Sequence, residues 1–321
     1  MTTDFKTLVP NPEGLTEIFE GGTWFEGPCW VPNKGVLRWS DVIGNCIWDH
    51  DPSTNETVKY REGVDHTNGR TIDIDGSVLQ CSHGKRRVER DRDGEIDVLV
   101  DRFNGHRLNA PNDIVVRSDG TVFFTDPSYG MLVTPEGHPG RREYGDHYVF
   151  AYTTDGHLRP VVVDMVDPNG LAFSPDERLL YVADSALLTH DGRYGRHHVR
   201  VYEVEGLRVK NGQDFVEITQ GVPDGLRIDE HGNIWCTQSD NLDQGRNAVI
   251  IFSPSGDEIG RIPVPKRIGN IAFGGADGSI LYMAASSSIY AIETGTRDAR
   301  FTREATYSNE NRLWDMATDW Q

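Results

Sequence analysis

An all-β fold, a six-bladed β-propeller with four-stranded blades, is predicted by three observations. A unit recurs six times along the chain, its copies fall 42 to 57 residues apart, and tight-turn signals separate short apolar runs. The clearest copies are PNDIVVRSDGTVFFTD from Pro111, PNGLAFSPDERLLYVAD from Pro168 and PDGLRIDEHGNIWCTQ from Pro223. Each reads as a polar residue after proline, a short apolar strand, a polar turn and a second apolar strand.

In chain order the first copy is FEGPCWVPNKGVLRWSD from Phe25, with its prolines displaced, and the second is TNGRTIDIDGSVLQCS from Thr67. The copies from Pro111, Pro168 and Pro223 follow, and IGNIAFGGADGSILYMA from Ile268 is the sixth. Third and fourth strands follow most copies, as in HYVFAYTTDG, HHVRVYEVEG, NAVIIFSPSG and SIYAIET. A propeller closes only when its blades complete a ring, so residues 1–321 are read as a single domain. The segment before about residue 20 and the tail after Phe301 are expected to close or cap the ring. The segment GMLVTPEGHPGRREYGD, from Gly130 to Asp146, interrupts the third blade as a rim or lid insertion.

Composition narrows the partners. A formal net charge of −18 repels phosphate backbones and anionic lipid, which argues against nucleic acid and membrane partners and favours cations. The chain lacks an apolar run of about 18 residues, and its start lacks the order of a signal peptide, so a cytoplasmic protein is expected. Cys29, Cys46, Cys81 and Cys236 show no CxxC spacing and read as reduced, buried thiols. The expected assembly is a monomer or a small homo-oligomer.

The repeat itself proposes a site. Innermost strands run beside the central axis, so equivalent positions form a ring at the channel mouth. That ring is read as Glu26, Asn68, Asn112, Asn169, Asp224 and Asn270, all oxygen-bearing. Two carboxylates and four amides fill a core poorly but hold a hard divalent cation well. Asx turns account for the Asn-Gly and Asp-Gly pairs. They do not account for Glu26, a poor turn former.

The stretches EGPCW, RLNAPNDIVVRSDGTVFFTDPSYG, PNGLAFSPDERLLYVAD and VPDGLRIDEHGNIW resemble the senescence-marker-protein, gluconolactonase and luciferin-regenerating-enzyme family, and most of all its bacterial gluconolactonase branch. The similarity runs from about Thr16 to Thr294 and is densest from Leu108 to Trp235. The resemblance implies one divalent cation, Ca²⁺ or Zn²⁺, held by Glu26, Asn169 and Asp224; Ca²⁺ is expected first, and oxygen ligands of this kind also accept Mn²⁺. The resemblance further implies that Asn112 lies beside metal or substrate, that Asp224 is the general base, and that Arg107 is the nearest counterpart of a substrate-contacting arginine.

The expected activity is metal-dependent hydrolysis of a small lactone, a sugar lactone such as glucono-1,5-lactone. The metal polarises the carbonyl, Asp224 deprotonates water, and Asn112 steadies the oxyanion. Asp126, Tyr129, His66 and His190 are further rim candidates for substrate hydroxyls. The alternatives are a lactonase or phosphotriesterase acting on a non-sugar substrate, and a non-catalytic interaction scaffold, for which converging acids serve no purpose. DRDGEID from Asp91 reads as a hairpin turn rather than an EF-hand, and the basic run KRRVERDR as a solvated face. His106 and His147 read as surface or hydrogen-bonded loop residues. No GxSxG elbow or Walker loop is present.

Overall fold

The computed structural model describes residues 4–132, 135–186, 195–240 and 244–300. Six four-stranded antiparallel sheets stand in a ring, each built from one of the six sequence copies. Their innermost strands are Phe25–Val31, Thr67–Ile72, Ile114–Val116, Pro168–Phe173, Val222–Ile228 and Ile268–Gly274, and each contacts the innermost strands of both neighbouring blades. These strands are almost wholly buried, whereas an outermost strand such as Glu56–Glu62 alternates exposed and half-buried residues. Burial on both faces explains why the inner runs are near-continuously apolar beyond their first residues.

The sixth blade is completed by the other end of the chain. Thr16–Glu20 pairs antiparallel with Ser288–Glu293, so the segment before residue 20 closes the ring as expected. The tail after Phe301 lies outside the described residues. Phe19 on the closing strand meets Phe25, Trp39 and Trp48 of the first blade with ring centroids 5.9, 5.6 and 5.1 Å away. On the same seam Trp30 stacks on Tyr282 at 6.2 Å, and two other seams are also aromatic, Phe123 meeting Phe173 at 4.9 Å and Trp235 meeting Phe273 at 5.3 Å. Leu8 and Val9, beside the short helix Phe5–Leu8, are fully buried against the last two blades.

The insertion from Gly130 to Asp146 is anchored to blades two and three. Its Tyr144 hydroxyl donates to Asp126, and Glu143 pairs with Arg86 at 3.3 Å and accepts the Arg107 backbone N–H at 2.9 Å. Asp126 is fully buried and also takes the Asn109 N–H at 2.8 Å. The DRDGEID run is a hairpin turn in which Asp91 caps the Gly94 N–H at 2.7 Å. The basic run is paired off: Arg90 meets Asp73, and Arg92 meets Asp97 at 2.7 Å. All four cysteines are free and buried. Among the described residues no helix is long and apolar enough to cross a membrane.

Two outcomes test this architecture. Deleting residues 1–20 strips the closing strand together with Leu8, Val9 and Phe19. At about 1.5–3 kcal/mol per buried apolar side chain, the loss is roughly 5 kcal/mol, read from the urea midpoint. An unchanged midpoint would show that closure contributes nothing. The second concerns Asp126, whose carboxyl burial pushes up to about 7, against the pull of the Tyr144 hydrogen bond. Between about pH 4 and 7 the folded chain then holds a proton that the unfolded chain has released, so this group lowers stability as pH rises through that window. Asp126→Asn is expected to flatten the fall in unfolding midpoint between pH 5 and 8. An identical slope in variant and wild type would refute that assignment.

Candidate metal and substrate site

Five of the six innermost strands carry a bulge near their start, and a residue at or within it, or just before the strand in the third blade, sets its side chain at one mouth of the channel. Glu26, Asn68, Asn112, Asn169 and Asp224 occupy this level in blades one to five and are 4 to 7% exposed. The sixth position corrects the sequence reading. Ile268 pairs with Ala285 and Ile271 with Met283, so Gly269, not Asn270, matches Asp224. A Cβ there would lie 2.1 Å from Glu26 Oε1 and would displace that carboxylate. The sixth blade therefore yields its place to the longer glutamate of the first.

Asn270 sits one level deeper, in a layer where the other blades carry Gly27, Gly69, Asp113, Gly170 and Gly225. A Cβ at Gly225 would lie 2.1 Å from Asn270 Oδ1, so the layer has room for few side chains. Asn270 Nδ2 donates to Asp113 Oδ2 at 3.4 Å across the channel, and Arg227 reaches the same oxygen at 3.5 Å. This polar plug forms a floor beneath the ring.

The amides of the ring are oriented by hydrogen bonds. Ser185 donates to the Pro223 carbonyl at 2.6 Å, so its oxygen is free to accept from Asn169 Nδ2 at 3.1 Å. Asn169 Oδ1 consequently faces Asn112, whose Nδ2 donates to it at 3.2 Å. Asn68 Nδ2 lies 3.3 Å from His83 Nε2, and His83 Nδ1 donates to the Glu136 carbonyl at 3.1 Å. Burial lowers the His83 pKa to about 4, so the ring is neutral and its Nε2 accepts from Asn68. Asn68 Oδ1 is left buried without a hydrogen-bond partner.

The carboxylates carry the electrostatics. Burial, then the charge of Asp224, pushes the Glu26 carboxyl well above its ordinary range, with only the Gly27 N–H, 3.1 Å from Oε2, pulling it back. Burial likewise raises Asp224; Arg267 opposes this, while Glu136 and Asp113 reinforce it. Two buried like charges, an orphaned amide oxygen and a second amide oxygen on one ring fit a hard divalent cation on donor chemistry alone.

The other expected residues fall differently. Asp126 does not face the mouth; its carboxylate is buried against Asn109 and Tyr144 and serves the insertion. Tyr129 is buried, donating to the Asp167 carbonyl at 3.1 Å beside Ser185, and buttresses the ring from behind. Arg107 lies on an outer two-strand hairpin, its guanidinium directed at the Lys85 carbonyl. His66 stands half-buried on the turn before the second blade, its Nδ1 2.7 Å from the Val42 carbonyl. His190 lies outside the described residues. His147, bonded to Val166 and Asp167, is the expected hydrogen-bonded loop histidine.

Besides His83, two residues near the ring went unpredicted. Glu136 comes from the insertion, which was readable as a rim element but not residue by residue. Arg267 precedes the sixth innermost strand, stacks over Trp24 at 5.3 Å and faces Asp224 and Glu136. Its position just before a copy of the repeat was the available signal.

Residues 24–287 match the family described as the SMP-30/Gluconolactonase/LRE-like region. A gluconolactonase from Zymomonas mobilis is 30% identical, covering 85% of this chain and 79% of its own. The pentonolactonase XacC of Haloferax volcanii is 29% identical over 81% of both chains. The solved structure of a Xanthomonas campestris gluconolactonase superposes with a TM-score of 0.78 at 30% identity, covering 87% of this chain and 89% of that one. With a family match that spans five of the six blades and reaches into the last, this chain belongs to the SMP-30/gluconolactonase/LRE-like family.

Proposed function

We propose that this protein is a metal-dependent lactonase that opens a sugar lactone at the ring of Glu26, Asn169 and Asp224. The observation that carries the reading is the convergence of two buried carboxylates on one channel mouth in a chain of this family. Relatives named for gluconolactone and pentonolactone hydrolysis support the sugar class. A divalent cation held by Glu26, Asn169 and Asp224, with Asn68 Oδ1 in reserve, would neutralise the two charges and polarise the lactone carbonyl. The oxygen-only donor set favours Ca²⁺, with Mn²⁺ or Zn²⁺ as substitutes.

The chain's own groups complete the chemistry. Asp224 removes a proton from the attacking water, the water oxygen bonds to the carbonyl carbon, and the ring C–O bond breaks. The same proton returns to the departing ring oxygen, giving a hydroxy acid that ionises in solution. Arg267 beside Asp224 keeps its carboxylate ionised at lower pH than burial alone allows. Asn112 holds Asn169 with one N–H and has a second to offer the developing oxyanion. The floor of Asp113, Asn270 and Arg227 blocks entry from below, so substrate arrives past the insertion that bears Glu136. The free, buried thiols support a cytoplasmic setting.

Acid release from glucono-1,5-lactone and pentonolactones, followed with a pH indicator, tests the proposal. Activity is expected to vanish on chelation and return with a divalent ion. Glu26→Gln and Asp224→Asn are each expected to lose at least ~10²-fold in kcat/KM, and full activity in either variant would sink the site. Arg267→Met removes the cation that opposes burial at Asp224, so the acid limb of the rate profile should move to higher pH. A limb that stays in place, or moves down, would exclude Arg267 from that role.

A further inference from the structure

A second cluster stands where the insertion meets the rim of the second blade. Asp65, His66 and His138 each offer a ligand atom, and these atoms all lie within 4.8 Å of one another. His138 Nε2 is 2.6 Å from Asp65 Oδ1, and the two imidazoles meet edge to face with centroids 5.5 Å apart. The Val42 carbonyl can only accept, so it fixes the proton of His66 on Nδ1 and leaves Nε2 with its lone pair. A backbone carbonyl in this position is the usual outer support of a metal-bound histidine.

The turn that presents the pair is held firmly. Asp65 and His66 both adopt left-handed backbone, with φ of 61° and 59°, a costly conformation for non-glycine residues. Asn45 Oδ1 takes the His66 N–H at 3.1 Å, and the Asp65 and His66 carbonyls accept from Gly84 and His83 at 3.0 Å each. The third donor arrives from the insertion, on a side chain 61% exposed and free to adjust.

We propose that Asp65, His66 and His138 form a second, exchangeable metal site of the Zn²⁺ class, separate from the ring at the channel mouth, that pins the insertion over that mouth. Two imidazoles and one carboxylate suit Zn²⁺, with water as the fourth ligand, and suit Ca²⁺ poorly. Zn²⁺ bonds of about 2.0–2.1 Å space tetrahedral ligands about 3.3 Å apart, which a small rotation of His138 away from Asp65 provides. Glu136 lies two residues before His138, so occupancy fixes the insertion's carboxylate above Asp224 and Glu26.

The test uses the full chain, stripped with chelator, with Zn²⁺ and Co²⁺ as probes. Wild type should give the visible absorption of tetrahedral Co²⁺, keep it in Glu26→Gln, and lose it in His66→Ala/His138→Ala. Zn²⁺ titrated by calorimetry should bind with one equivalent fewer in the double variant. His138→Gln, changing an exposed side chain alone, should weaken that equivalent at least tenfold with an unaltered unfolding midpoint. Zn²⁺ should slow tryptic cleavage at Arg141 and Arg142 in wild type but not in His138→Gln. Equal Zn²⁺ stoichiometry in wild type and His66→Ala/His138→Ala would overturn the proposal. So would loss of the Co²⁺ signal in Glu26→Gln, which would put the ion in the ring.

Discussion

The central constraint in this molecule is that Glu26 and Asp224, two carboxylates, are buried on one ring. Separating such a pair by solvent would be the easy solution, and the propeller forbids it, because the innermost strands bring the residues at or near their starts to the same channel mouth. The cost of confining like charges away from water is large unless a cation answers them. Much nearby structure is arranged around that charge. Gly269 leaves space for the Glu26 carboxylate, the Gly27 N–H turns toward it, and Arg267 leans in from the rim beside Asp224.

Immediately below, the channel tightens. Four of the six blades carry glycine in this second layer, and the two side chains that remain, Asp113 and Asn270, hydrogen-bond to each other. Arg227 rises from the next layer to Asp113, beyond which a cavity of about 50 Å³ is lined by Arg70, Arg227 and Arg300 among others. The two carboxylates of the ring thus stand above the floor, while three arginines gather below it with Asp298 among them. The floor lies between them and closes the ring off from below.

The insertion ties the outer rim to this centre. Its Tyr144 and Glu143 grip blades two and three, and its Glu136 carbonyl holds His83, which in turn orients Asn68. Asn68 Oδ1 is left facing inward with no partner because its amide nitrogen is committed to that histidine. Neutral His83 matters here, since a protonated imidazole could not accept from the amide. Whatever moves the insertion therefore reaches the ring in two hydrogen bonds.

The sequence alone determined the number of blades, their boundaries and most of the ring. A repeated apolar period and an oxygen-bearing residue at a fixed phase are local signals, and local signals survive in one dimension. Thr16–Glu20 was readable as the closing segment because a ring leaves its last blade short of a strand. What sequence could not carry was register within a copy and proximity between copies. Asn270 was misplaced by one residue because GN and NG look alike until the bulge opposite Ala284 is seen. Asp126 and Tyr129 end or follow a strand at the mouth, yet their side chains turn into protein, a matter of which neighbour packs against them. Glu136 and Arg267 meet the ring from far along the chain, where only the closed ring fixes the distance between segments, and His83 meets Asn68 across the turn of its own blade, where only packing decides which side chains touch.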